Sequence, residues 1–349
     1  MRRVAMVFSV GAMVGVGLAI AAPASAAVLT CGQVVTQSMT LDADVGPCAN
    51  NGIVIGADNV TLDLGGHTVL GTPGSGDGAG VLVAGRYGVT VRRGTVTQFD
   101  GGVVILGGGG NAVTNIHAVH NIGASEGHPP AASTDYGDGI LVQASSNNAI
   151  LSNTTEDNGP FSGIGVIMGD TDHPSMPPGP SSFNLVQGNA VLNNTACREG
   201  PFCDNDGIRL EPGVTDNRVI GNTVTGNGLD GISLFGNTTR NVVQGNRVDG
   251  NGFFGAVPGD GVRVFGLGNT IGGNTVNGNA AAGVSVARRP PNAQGFPATN
   301  PNGRNNVLTG NTATGNGLFD LWDSNPGCDN NVWSANRGET VSPSCTLNP

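Results

Sequence analysis

Apolar and polar positions alternate along this chain in short runs, and asparagine punctuates the runs at fixed intervals. Aligned on N-x4-N-x4-N, successive copies are Asn148, Asn153 and Asn158; Asn184, Asn189 and Asn194; Asn217, Asn222 and Asn227; Asn241, Asn246 and Asn251; Asn269, Asn274 and Asn279; and Asn306, Asn311 and Asn316. A partial copy closes the series at Asn331 and Asn336. Upstream, Asn111 and Asn121 keep the outer positions, while Asn59 and Gly88 mark two looser copies. Between copies lies a third run, G-[IV]-x-[LVI], beginning at Gly139, Gly163, Gly207, Gly231, Gly261 and Gly283.

The shortest spacing, 24 residues from Asn217 to Asn241, holds three such runs and three turns. Strands this short cannot bury their apolar residues alone. They need the same strand of the coil above and below. Stacking pairs them in parallel about 4.8 Å apart around a core of aligned Val, Ile and Leu. Asparagine suits the corners because it tolerates positive φ and its amide can bond to its counterpart one coil on. No window shows the period of a helix, which excludes an α-solenoid. The aromatic anchors of propeller blades are missing. The pattern therefore predicts an all-β, single-stranded parallel β-helix of about ten coils over 51–327. Residues 27–50 and 328–349 fall outside the repeat and are expected to cap its open strand edges.

Other features narrow the function. Arg2 and Arg3 precede an apolar run, and Ala24-Ser25-Ala26 follows it with the small residues of a cleavage site, so 1–26 reads as a secretory signal peptide. The expected product is secreted, extracellular, monomeric and free of the membrane after cleavage. The export route, general or twin-arginine, stays open. The six cysteines fall into three near neighbours, Cys31 with Cys48, Cys197 with Cys203 and Cys328 with Cys345, which suggests three local disulfides and pinned caps. The net charge is −10 and there is no lysine, all 15 basic residues being arginine. That balance argues against nucleic acid and anionic membranes as partners. It also removes lysine Schiff-base chemistry.

The stretches Cys31-Gly32 through Asp42 and Asn59 through Val69 resemble the NosD-like group of right-handed parallel β-helix proteins in the pectate-lyase-like superfamily. The N-G-x-D-G-[IV] coils and Gly317-Leu318-Phe319-Asp320-Leu321-Trp322 are similar to the same group. The resemblance implies a right-handed helix. It leaves the activity open, since the superfamily includes lyases, epimerases, hydrolases and binding proteins. It further implies that the G-[IV]-x-[LVI] strand floors a sugar groove.

Insertions point to the same strand. The long coils grow only at 120–138, 168–182, 196–206, 252–259 and 287–304, the two corners that flank it, while the asparagine corner never grows. Loops on one side of a solenoid usually build its binding surface. Alternation turns Ile208 and Leu210 inward and Arg209 and Glu211 outward, with Ser233, Phe235, Arg263, Phe265 and Ser285 outward on later coils. Arg209, Glu211, Phe235, Arg263 and Phe265 would then bind polysaccharide through fork hydrogen bonds and ring stacking. Asp138, Asp206, Asp230 and Asp260 each precede the strand glycine. Two roles fit them, a Ca²⁺-binding column and turn capping. Tyr136, His128, His173 and Asp172 form the candidate catalytic cluster for a lyase or C-5 epimerase, with His120, Asp135 and Asp170 nearby. The Asp172-His173-Pro174 order reverses the Asp-Pro-His element of mannuronan epimerases. A non-catalytic surface protein and NosD-like copper handling by loop histidines are the other readings.

Overall fold

The computed structural model describes residues 25–72, 78–123, 136–169, 179–196, 205–254, 257–286, 303–343 and 346. All of its sheet pairings are parallel, in a 12-stranded sheet and a 21-stranded sheet that together wind about one core. The 12-stranded sheet takes the G-[IV]-x-[LVI] runs, for example Asp206–Leu210, Ile232–Leu234, Val262–Val264 and Val284–Val286. The larger sheet takes the two runs between asparagines, such as Arg218–Ile220 and Thr223–Thr225. Ten strands of the smaller sheet lie within 51–327. The segments expected to cap the ends add one more each, Gln33–Val35 and Val341–Ser342.

Register explains the core. Ile208, Ile232, Val262 and Val284 pair in sequence, as do Leu210, Leu234, Val264 and Val286, and all eight are fully buried. Each such side chain contributes roughly 1.5–3 kcal/mol relative to exposure. A single inward position repeated on every coil therefore sets both the pairing and the core.

The asparagines are buried and form ladders between coils. Asn222 accepts hydrogen bonds at Oδ1 from the backbone N–H (2.9 Å) and side-chain amide (2.9 Å) of Asn189. Its own amide donates to the Val186 carbonyl (3.0 Å) and to Asn246 Oδ1 (2.9 Å). The ladder thereby satisfies buried backbone groups at a corner where no strand continues. Positive φ occurs at Asn59 itself, but in the ladder triplets it belongs to the residue before the asparagine: Gly221, Gly226, Gly245 and Gly250, or Ser152 and Asp157. Where the middle asparagine is missing, the chain bends without breaking its strand, and Ala112–Val119 runs through the corner with Ile116 in the asparagine's place. At the far end Asn316 meets Asp320, whose carboxylate also accepts from the N–H groups of Glu339 and Thr340.

Cys31 and Cys48 form a disulfide across a separation of 17 residues. Cys328 is also disulfide-bonded. Cys197, Cys203 and Cys345 lie outside the described residues. Among the described residues no helix is long and apolar enough to cross a membrane.

Candidate functional site

The outward column of the 12-stranded sheet changes character along the helix. Paired in order, it reads Leu82, Val104, Leu141, Gly165, Arg209, Ser233, Arg263, Ser285 and Trp322. The apolar beginning is covered by Tyr136, which packs with Ala79, Val104, Leu106 and Leu141 and is 3% exposed. Polar residues take over at Gly165.

Sequence alternation predicts that these residues point away from the core, and they do. It does not predict that they are buried. Arg209 is 7% exposed and Arg263 0%, and Phe235 and Phe265 are buried as well, so the expected open floor is instead a covered polar tract. Arg209 pairs with Glu211 at 2.9 Å and lies over the Phe235 ring at 4.6 Å. Arg263 pairs with Asp230 and lies 5.6 Å from the Phe265 ring centroid. Both phenyl rings are thus occupied by guanidinium groups of the protein itself, in the cation–π arrangement. Apolar surface open to a ligand lies further along, where the half-buried Phe319 and Trp322 rings meet at 5.3 Å beside Leu318, which is 51% exposed.

The aspartates form a second ladder. Asp206 Oδ1 accepts the Asp230 N–H (3.0 Å), Asp230 Oδ1 the Asp260 N–H (2.8 Å), and Asp260 Oδ1 the Ala282 N–H (2.8 Å). One oxygen of each carboxylate therefore caps backbone, as aspartate before a turn glycine commonly does. In two of them the other faces the outward residue of the next coil: Arg263 for Asp230, and the Ser285 hydroxyl, which donates at 2.6 Å, for Asp260. Among the described residues no three His, Cys, Asp or Glu gather as a metal site.

Asp138 differs from Asp230 and Asp260. The outward residue on its next coil is Gly165, where a Cβ would stand 2.9 Å from Asp138 Oδ1 and 3.2 Å from its Cγ. Ser162 donates its hydroxyl to Oδ1. Oδ2 has no hydrogen-bond partner among the described residues, and the side chain is 1% exposed. Burial raises the carboxyl pKa from 3.8 to about 7; the Ser162 bond and the charge of Arg209 oppose the rise, and Glu211 adds to it. A buried acid that titrates near neutrality is the type of group found at functional sites.

The remaining candidates do not join this tract. His67, His117 and His120 each face one carboxylate of a neighbouring coil, Asp44 (3.3 Å), Glu156 (3.5 Å) and Asp157 (2.7 Å), on the asparagine-bearing sides. His128, Asp135, Asp170, Asp172 and His173 lie outside the described residues. Sequence reasoning passed over Ser162, Gly165 and Trp322. The available signal was Gly165 itself, a glycine in a column that otherwise carries side chains from Leu82 to Trp322.

A family model described as "right handed beta helix region" matches residues 175–294. Among solved structures, the Azotobacter vinelandii mannuronan C-5 epimerase AlgE4 A-module is similar with a TM-score of 0.56 at 15% identity, covering 92% of this chain and 91% of that one. The periplasmic alginate epimerase AlgG gives 0.53 at 14% identity, with 91% and 77% covered. The Dettilon tailspike protein gp208 gives 0.53 at 16% identity, with 90% and 61% covered. No curated protein matches the sequence. The chain is a right-handed parallel β-helix, the fold it shares with these structures.

Proposed function

We propose that this chain is an exported protein that binds a polysaccharide along the outer face of its 12-stranded sheet, between the two rows of insertions. The observation that carries the reading is the placement of buried charge. Arg209, Asp230 and Arg263 are buried outside the aligned apolar core, on the sheet whose strands adjoin the insertions in the sequence. Burying an ion costs several kcal/mol, and apolar residues at the same positions would stabilise the sheet at least as well. A chain that keeps such groups on one face spends stability on recognition.

The tract ends at Phe319 and Trp322, so hydrogen-bonding groups and an apolar platform lie in one line along the helix axis. Sugar rings offer the matching combination of hydroxyl edges and apolar faces. Two of the similar structures are named as epimerases of mannuronan and of alginate, which makes polyuronates the first ligands to try. The net charge of −10 repels polyanions at a distance, so Ca²⁺ enters the proposal as an ion bridging ligand and protein.

Titration calorimetry with alginate, polygalacturonate and a neutral glucan, each with and without Ca²⁺, tests the reading. Saturable binding to at least one is expected, weakened about tenfold by Trp322→Ala, the scale of one ring contact. No binding to any of them would overturn it.

Asp138 favours a second reading, in which the bound polysaccharide is also modified by a lyase or C-5 epimerase. A carboxyl that titrates near the working pH can transfer protons in either direction. Ultraviolet absorbance of unsaturated product and NMR of the polymer test it. Unchanged polymer by both methods would exclude modification.

A further inference from the structure

The corner that leads from the larger sheet into the 12-stranded sheet is filled differently on successive coils. Gly252 N–H donates to the Asn227 carbonyl, Ala280 N–H to Asn251 and Gly317 N–H to Asn279, which stacks Leu229, the 252–259 loop, Ala281 and Leu318 at one place. Leu229 and Ala281 are buried, so a single residue is enough to close the corner. The loop instead presents Phe253 and Phe254, 61% and 71% exposed, and Leu318 is 51% exposed. The base of the loop is tight: Gly259 N–H donates to the Gly252 carbonyl at 3.2 Å, and a Cβ on Gly252 would stand 2.5 Å from the Gly259 nitrogen. The phenylalanines and Leu318 lie two coils apart, roughly 10 Å along the axis at the spacing of paired strands, with the small Ala280 and Ala281 between them. Next to Leu318, the Phe319 ring meets Trp322, which follows Arg263 and Ser285 in the outward column. The apolar corner therefore runs into the outer face of the sheet.

We propose that this corner is the apolar wall of the binding face, on which a sugar ring lies with its C–H face against Phe253, Phe254 and Leu318. The inference rests on the polysaccharide reading and adds the side chains and the ligand surface that meet. Neighbouring exposed apolar side chains mark contact sites on soluble proteins. At these exposures the three side chains leave roughly 300–400 Å² uncovered, taking about 200 Å² for each. A stable protein interface takes about 800 Å² from each partner, so the area suits a small ring better than a second copy of the chain. The net charge of −10 disfavours an anionic membrane surface. A sugar ring fits the relief, since Ala280 and Ala281 leave room between the bulky flanks for its apolar face. None of Phe253, Phe254, Ala280, Ala281 and Leu318 carries a charge, so this contact is independent of Ca²⁺ and of ionic strength.

Phe253→Ala/Phe254→Ala tests the idea, because both rings are exposed and the fold does not need them. The variant is expected to melt at the wild-type temperature and to bind the polysaccharide that wild type binds roughly 10- to 100-fold more weakly, the range for two ring contacts. The loss should be the same at low and high salt, and the heat-capacity change on binding should become less negative. Leu318→Ala, at the other flank, should weaken binding several-fold by itself. Calorimetry on the full chain with the same polyuronate and glucan panel gives the readout. If wild type binds and both variants match it, the corner is not a subsite and the polysaccharide reading still stands. If sedimentation shows a wild-type dimer that the double variant dissociates, the corner is an interface between copies and the inference is overturned. If wild type binds nothing in the panel, both readings fall.

Discussion

Replacing Asp138 by asparagine should leave the protein about as stable at acid pH and make it more stable above neutrality. The folded carboxyl titrates at about 7 against an ordinary 3.8, so between those values the folded chain holds a proton that the unfolded chain has lost. Stability is therefore greatest at the acid end of that window, falls as the pH rises through it, and levels off above 7. The interval is about three pH units, each equivalent to 1.36 kcal/mol, so the contribution lost is roughly 4 kcal/mol. Asparagine stays neutral throughout, and its carbonyl oxygen can accept the Ser162 hydroxyl in place of Oδ1. Substituting a neutral acceptor for a charged one offsets about 1 kcal/mol of the gain. Urea unfolding followed by circular dichroism at pH 5 and pH 8 measures the difference between wild type and variant, in which other titrating groups cancel. The variant should lead by about 2–4 kcal/mol at pH 8 and by about zero at pH 5. A difference that stays constant between the two pH values would show that Asp138 is already ionised at pH 5, and would refute the reasoning.

Two substitutions examine the ladders. Asn222→Ala removes an acceptor for two Asn189 donors and a donor to Val186 and Asn246 inside the stack, which should cost about 3–5 kcal/mol in denaturant unfolding, against under about 0.5 kcal/mol for the exposed Arg218→Ala. Arg263→Met strips Asp230 of its buried counter-charge and should cost about 3–5 kcal/mol, most of it recovered in Arg263→Met/Asp230→Asn, which keeps the Oδ1 acceptor for Asp260.

The fold was legible because the sequence repeats its own corner. Asparagines at N-x4-N-x4-N number the coils, and the inward residue of each G-[IV]-x-[LVI] run fixes the register. The site was legible only as a side of the molecule. A period of two tells whether Arg209 or Phe235 points away from the core, but it does not tell that both are buried there. Likewise, the pattern assigned positive φ to the asparagine, whereas the amide ladder needs the asparagine in register and passes the strained conformation to Gly221 or Ser152 before it. The aspartate column looked uniform as text. Only pairing between coils shows that Asp230 and Asp260 meet Arg263 and Ser285 while Asp138 meets a glycine. The terminal segments read as caps because their asparagine spacing lapses, yet Gln33–Val35 and Val341–Ser342 pair with the ends of the sheet all the same.

The most direct measurement is a crystal structure of the full chain grown with an oligosaccharide of whichever polymer binds. The account predicts sugar density along the outer face of the 12-stranded sheet, passing over Arg209 and Arg263 towards Trp322. Density on the asparagine-bearing sides, with the Gly165 to Trp322 column bare, would contradict it.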